Sequence, residues 1–232
     1  MSRSLRTRIL SPLLLVLGLA LHAPALHAEA EKSAPSLSVS FYKKLSEAHD
    51  WLQKKHSENS RAILQKLSEQ ADNSPYENGM VWSMLGYLHY QNGDYKPSAQ
   101  AYEKALQFDI PPQLAQDTRR ILGQVYLADS EYAKAAVHLD RWLEQGQDST
   151  GEINIQLARC YYQTRNYPRA AKHLNAGIGL VEASGGRPKE EWLALLQSTQ
   201  AQIKDARERI VTIKRLLTWY PKAEYWLALA NA

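Results

Sequence analysis

The feature that most constrains this chain is a set of small, aromatic and apolar positions that returns several times at one register. From Trp82 it reads Trp82-Ser83-Met84-Leu85-Gly86, then His89, Gly93, Tyr95, Ser98, Tyr102, Ala105 and Leu106, with Pro111 soon after. The set returns from Leu122-Gly123 through Tyr126, Tyr132, Ala135, Leu139, Trp142 and Leu143, and again from Leu157-Ala158 through Tyr161, Tyr167, Ala170, Leu174, Gly177 and Ile178. Small residues recurring twelve positions apart fit two helices that cross closely. Gly86 and Ser98 are small at the crossing, and Trp82, Leu85, Tyr102 and Leu106 fill the space around it. Gly93 supplies the turn, and Asp94, Ser130 and Asn166 stand where helix caps belong, with Pro168 in a first turn that tolerates its missing amide.

This pattern is the signature of the tetratricopeptide repeat (TPR), and the fold class it predicts is all-α: a TPR helix-turn-helix solenoid with three clear repeats and a degenerate repeat on each side. Upstream, Ala48, Trp51, Ser60, Leu64 and Leu67 keep the register; downstream, Trp192 to Gln202 and Ala206 to Trp219 make a helix pair in which Arg209 stands where a small residue belongs. The expected repeats run from about 41–74, 79–112, 116–149, 151–184 and 188–221, with a partial helix over 222–232, all within a solenoid spanning 37–232. A hydrophobic content of 44% agrees with a folded chain, and no run of alternating β-branched residues argues for strand.

The first 28 residues read as a secretory signal peptide, followed by a linker over 29–36. Arg3, Arg6 and Arg8 form a basic start, Ile9 to Leu21 is apolar apart from Ser11, Pro12 and Gly18, and small residues follow, placing cleavage after Ala28 or after Ala30. The apolar run is too short for a normal membrane span and no cysteine stands behind it, so neither a permanent membrane anchor nor a lipid anchor is expected. The chain carries 28 basic and 24 acidic residues; removing the three signal arginines leaves 25 against 24. The sequence pI of 9.0 therefore owes much to the targeting segment and does not indicate a nucleic-acid partner. Export implies an oxidising compartment, yet Cys160 is the only cysteine and reads as a small buried thiol.

Taken in order, the segment Ser36 to Leu67, the Leu85-Gly86, Leu122-Gly123 and Tyr161-Tyr162-Gln163 repeats and the Leu216 to Trp226 segment resemble periplasmic TPR proteins of Gram-negative bacteria. These are described as components of a TonB energy-transduction system, found beside ExbB-like and TonB-like proteins. The resemblance implies a periplasmic scaffold with ExbB-like or TonB-like partners.

In such an array the helix A residues that face neither helix B nor the next repeat line a concave groove. Counting along the register predicts Tyr42, Leu45 and His49, then Ser83, Tyr87, Tyr90 and Gln91, then Asp117, Arg120 and Gln124, and finally Ile155, Arg159, Tyr162 and Gln163. Of these, Tyr87, Tyr90, Gln91, Arg120, Gln124, Arg159, Tyr162 and Gln163 are the protein-binding candidates, because Tyr, Arg and amides supply interface anchors. The expected partners are other cell-envelope proteins or an extended peptide. The Lys and Asn pattern of chaperone-binding repeat domains, which clamps a terminal carboxylate, is not reproduced.

Catalytic chemistry is not expected, and neither is a cofactor, a metal or a small-molecule substrate. His49, His56, His89, His138 and His173 are scattered, no HExxH or GxSxG occurs, and Ser184-Gly185-Gly186 lacks the strand and the GK[ST] of a phosphate loop. His89 reads as a packed imidazole and Lys204 to Arg215 as a solvated face. The function expected is a non-catalytic periplasmic interaction scaffold accessory to TonB-dependent transport; the alternative is a structural factor in outer-membrane or peptidoglycan assembly.

Overall fold

A computed structural model describes residues 36–145 and 150–231, and the signal peptide, its cleavage sites and nearly all of the linker lie outside those residues. Eleven helices and no strand occur among the described residues: α1 (Val39–Gln53), α2 (Ser57–Ser68), α3 (Pro75–Asn92), α4 (Tyr95–Ala105), α5 (Pro112–Ala128), α6 (Tyr132–Leu143), α7 (Glu152–Gln163), α8 (Tyr167–Ala183), α9 (Glu190–Gln202), α10 (Ala206–Trp219) and α11 (Ala223–Ala230). They fall into two compact units, one ending at Asp129 and holding α1 to α5, the other beginning at Ser130 and holding α6 to α11.

In the first unit the α3–α4 crossing follows the expected chemistry. Ser98 Oγ donates to the Gly86 carbonyl at 2.7 Å, and a methyl added to Gly86 would stand 2.7 Å from the Tyr102 ring, so only glycine fits without a shift. The start of α3 is tied down by a capping box. Ser74 Oγ accepts from the Glu77 amide at 3.2 Å, while Glu77 Oε2 accepts from the Ser74 amide at 2.9 Å, and Pro75 occupies the first turn. Glu77 also accepts from the Ser38 amide at 2.9 Å and the Ser38 hydroxyl at 2.7 Å, which binds the start of α1 to the start of α3. Burial pushes the Glu77 carboxyl up, but hydrogen bonding from Ser74 and Ser38 outweighs it and holds its pKa below the ordinary value.

In the second unit α7 and α8 approach at Gly151 and Gly177. A methyl on Gly177 would meet the Gly151 carbonyl at 2.8 Å, and Gly151 itself has φ 76°. Behind that contact Ile155, Ala158, Leu174, Ile178, Trp192, Leu193, Leu196 and Leu216 form a core from α7 to α10, against which Tyr220 and Tyr225 pack. Arg209 lies half-buried where Ser60, Ser98, Ala135 and Ala170 are fully buried, and its Nε finds no acceptor. Thr212, Ile213 and Leu216 of α10 are nonetheless buried.

The link after every odd-numbered helix up to α9 contains one left-handed residue: Lys55, Gly93, Ser130, Arg165 and Lys204, with φ between 58° and 84°. Only Gly93 announces this in its residue type; the other four hold a conformation that side chains disfavour. The cap assignments are corrected in part. Ser130 is the left-handed residue of its link, while Glu131 holds the cap position of α6 without a side-chain bond. Asp94 holds the cap position of α4 but makes no cap bond, its carboxylate lying 3.7 Å from His89 Nδ1 instead. Asn166 does cap α8, accepting from the Arg169 amide at 3.4 Å, and Asp205 caps α10 in the same way from Glu208 at 3.2 Å.

Candidate functional site

The side chains predicted to line the interaction surface divide by unit and by burial. In the first unit Leu45 is fully buried and serves the core rather than a surface, while Tyr42 and His49 are half-buried. On α3, Ser83, Tyr87 and Tyr90 are only 5%, 3% and 4% exposed. The Tyr87 hydroxyl accepts from Gln91 Nε2 at 2.7 Å, and burial raises the Tyr87 pKa against the pull of bonds from Gln91 and Gln53. Tyr102 lies near Tyr87 and Tyr90 with its hydroxyl buried and unpartnered, so burial first and then the two neighbouring phenols push its pKa up. Positions 83, 87 and 90 share one face of α3, and the register count alone cannot tell a face at the surface from one just beneath it.

On α5 the picture differs. Arg120 and Gln124 are half-buried, Gln116 is 6% exposed, and the amide oxygens of Gln116 and Gln124 are buried without a partner. Burial lowers the Arg120 pKa, and Asp117, three positions earlier, is the one charge that opposes it. The Asp117 carboxylate itself accepts from Gln113 at 3.4 Å. An unpaired buried polar group costs about 1–3 kcal/mol, so the two glutamine oxygens are acceptors whose needs the described contacts do not meet.

In the second unit Ile155 is buried in the core and drops out of the surface set. Arg159 reaches across to α9 and pairs with Glu191 at 3.1 Å, and the Tyr162 hydroxyl meets Ser198 Oγ at 3.1 Å; Gln163 is exposed. Lys189 and Glu152, 3.1 Å apart, add a further link between the start of α7 and the segment entering α9. The candidates Arg159 and Tyr162 therefore also bridge neighbouring odd-numbered helices.

A cluster that sequence reasoning missed lies on α6, α7 and α8. Tyr161 donates to Asp140, Arg169 donates to the Tyr161 hydroxyl at 2.7 Å, and His173 stacks on the Tyr161 ring at 5.5 Å while its Nδ1 meets Asn154 Oδ1 at 2.9 Å. Burial pushes the Tyr161 hydroxyl up to about 12, with Asp140 adding to it, and burial pulls His173 down against the Asp140 charge. The first unit has the counterpart in Tyr126 donating to Glu103. The recurring aromatic at this position hence works as a clasp to the preceding even-numbered helix, and the signal available in sequence was the acid at 103 and 140 in one register. Cys160 is fully buried, and burial with the Asp140 charge raises its thiol to about 12, the opposite of the thiolate that redox chemistry requires. Among the described residues no group of three or more His, Cys, Asp or Glu side chains could hold a metal, and no helix is long and apolar enough to cross a membrane.

Two family profiles, both described as tetratricopeptide repeat, match residues 79–110 and 122–188. No curated protein sequence matches the chain. Among solved structures the chain is similar to YrrB, described as a TPR protein with an unusual peptide-binding site, at 15% identity and a TM-score of 0.64 over 82% of this chain and 91% of that one. It is similar to MamA from AMB-1 at 14% identity and a TM-score of 0.63, over 82% and 97% of the two chains, and to MamA from Desulfovibrio magneticus RS-1 at 12% and 0.61, over 79% and 97%. The described residues thus form an all-helical tetratricopeptide-repeat fold. That fold is typically a non-catalytic module for protein interaction.

Proposed function

We propose that this protein is a periplasmic scaffold, exported by cleavage of residues 1–28, that holds envelope proteins or an extended peptide segment against its odd-numbered helices. The observation that carries the reading is the set of half-buried guanidinium, amide and phenol groups on those helices: Arg120 and Gln124 in the first unit, Arg159 and Tyr162 in the second, with Gln163 exposed beside them. Side chains of this kind anchor interfaces because they combine a large apolar body with hydrogen bonds that a partner can complete. In the first unit Tyr87 and Tyr90 are buried, and half-buried Gln91 bonds to the Tyr87 hydroxyl. YrrB, which shares the fold, is described as having a peptide-binding site, which supports a peptide or protein as the ligand class.

The resemblance to TonB-system repeat proteins narrows the partner to ExbB-like or TonB-like proteins and the role to an accessory part of TonB-dependent transport. Affinity purification from solubilised envelopes tests this. Recovery of those proteins, lost when Arg120 and Arg159 are both replaced by alanine in a chain that stays folded, is the expected result. Recovery of cell-wall or outer-membrane assembly proteins in their place, with sedimentation on peptidoglycan fragments, would move the scaffold to envelope assembly. Fractionation of cells that leaves the intact, uncleaved chain in the cytoplasm would overturn the periplasmic assignment.

A further inference from the structure

We propose that α10 and α11 of the second unit rest reversibly on an anionic phospholipid membrane, with Trp226 and Leu227 entering the interface and Arg207 and Lys214 meeting the lipid phosphates. This surface is distinct from the set around Arg120 and Arg159, and it stands whether or not that set captures a partner.

Six large hydrophobic side chains are exposed among the described residues, and four of them fall between positions 211 and 227: Val211 at 46%, Trp219 at 38%, Trp226 at 61% and Leu227 at 66%. The two most exposed of these four belong to α11, of which no residue is buried. That helix is held by one side. Tyr225 packs against the core and donates to Glu190, which also pairs with Lys222 at 2.6 Å. Ala223, Trp226, Leu227 and Ala230, at spacings of three and four, share the outward side of α11, and all four are exposed. No charge stands in that stripe; Glu224, the one acid of the helix, lies to one side of it. On the neighbouring helix, Arg207, Val211, Lys214 and Thr218 form one exposed stripe opposite the buried Thr212, Ile213 and Leu216. From Lys204 to Ala230 there are six basic side chains against three acidic ones. Arg215 and Lys222 are paired with Glu182 and Glu190, whereas the exposed Lys204, Arg207 and Lys214 enter no ion pair among the described residues. An apolar face with an indole, beside cationic side chains, is the composition that adsorbs to a lipid interface, where the ring leaves water and its N–H keeps a polar partner. A helix of eight residues can lie in that interface but cannot cross it. A second copy on the same surface would set stripes of like charge against each other, so an anionic bilayer is the better complement.

Flotation with phospholipid vesicles tests this, using residues 29–232 so that the apolar run before Ala28 contributes nothing. Vesicles of phosphatidylglycerol and phosphatidylethanolamine should bind the chain at least about tenfold more tightly than phosphatidylcholine vesicles, and rising salt should weaken that binding. Trp226→Ser combined with Leu227→Ser should reduce affinity about tenfold or more, since two large apolar groups no longer leave water. Arg207→Gln and Lys214→Gln should each reduce it roughly fivefold on the anionic vesicles. All four positions are exposed, so the melting temperatures of these variants should match wild type. As a control, Val39→Ser with Val137→Ser, the two exposed hydrophobic positions elsewhere, should leave binding unchanged. Equal binding to both kinds of vesicle would overturn the anionic assignment, and binding undiminished at Trp226→Ser with Leu227→Ser would remove α11 from it. A lipid-free dimer in sedimentation equilibrium that the same two replacements dissociate would show that a second copy covers α11 instead. No binding to either vesicle would overturn the proposal and leave the surface around Arg120 and Arg159 untouched.

Discussion

The two units solve the same helix crossing with different side chains. In the first, Gly86, Ser98 and Tyr102 meet where α3 crosses α4; at the matching positions of the second, Ala158, Ala170 and Leu174 meet where α7 crosses α8. All six positions are buried. What is preserved is the summed volume: no side chain plus a phenol in one place, a methyl plus a branched chain in the other. The phenol leaves its hydroxyl buried and unpartnered, a cost that the leucine version avoids.

The largest effect follows from breaking this compensation. Gly86→Ala puts a methyl 2.7 Å from the Tyr102 ring and should destabilise the first unit by about 2–3 kcal/mol, read by urea unfolding. Adding Tyr102→Leu should recover most of that loss by recreating the second unit's combination. Ala158→Gly in the second unit should cost only about 1 kcal/mol, mainly through helix propensity. A Gly86→Ala cost that survives Tyr102→Leu would show that the volume comparison is wrong.

Next in size is Glu77, which bonds to both Ser38 and Ser74, whereas at the start of α7 in the second unit Gly151 holds the cap position without a side-chain cap bond. Glu77→Gln should cost about 1.5–2 kcal/mol, because charge-assisted bonds become neutral ones. The folded pKa lies below the unfolded one, so this stability is full above the ordinary carboxylate range and fades as pH falls through the folded value. Wild type should lose stability on acidification and the Gln variant should lose less, which a pH series of melting temperatures measures.

Smaller again is the strain in the links. Gly93 carries its left-handed conformation freely, whereas Lys55 in the first unit and Arg165 and Lys204 in the second do not. Replacing any of these three by glycine should raise stability by about 1 kcal/mol, offset in part by the greater freedom of the unfolded chain. Gly93→Ala should lower it by a similar amount. A uniform loss in all four variants would mean that the lysine and arginine side chains contribute contacts outweighing the strain.

These cases mark what was readable beforehand. Helix number, the A-to-B crossing at Gly86 and Ser98, the buried thiol and the Asn166 cap follow from residue type and register, since each is a local or near-neighbour relation. The left-handed links at Lys55, Arg165 and Lys204 were hidden because those residue types do not favour the conformation; tertiary packing imposes it. For the candidate surface residues, register places them on the odd-numbered helices, but whether Tyr87, Tyr90, Leu45 and Ile155 lie at the surface or beneath it depends on how closely the next helix packs, which no single-helix pattern encodes. The Tyr161, Asp140 and His173 cluster was missed for the same reason, its members coming from three helices.

The smallest effect separates the two arginines. Arg159 pairs with Glu191, but at 41% and 59% side-chain exposure the pair is screened, and Arg159→Met should lower stability by no more than roughly 0.5 kcal/mol, less in high salt. Arg120 is withdrawn from water without such a partner, so Arg120→Met, which keeps the apolar stem and removes the charge, should leave stability unchanged or raise it by a few tenths of a kcal/mol, roughly. Opposite signs are expected because the first guanidinium has a carboxylate partner within its unit, whereas the second is partly withdrawn from water with only Asp117 to favour its charge. A loss at Arg120 matching or exceeding that at Arg159 would mean that Arg120 already has its counter-charge in the free protein, and its place at the centre of a binding surface would lose its physical basis.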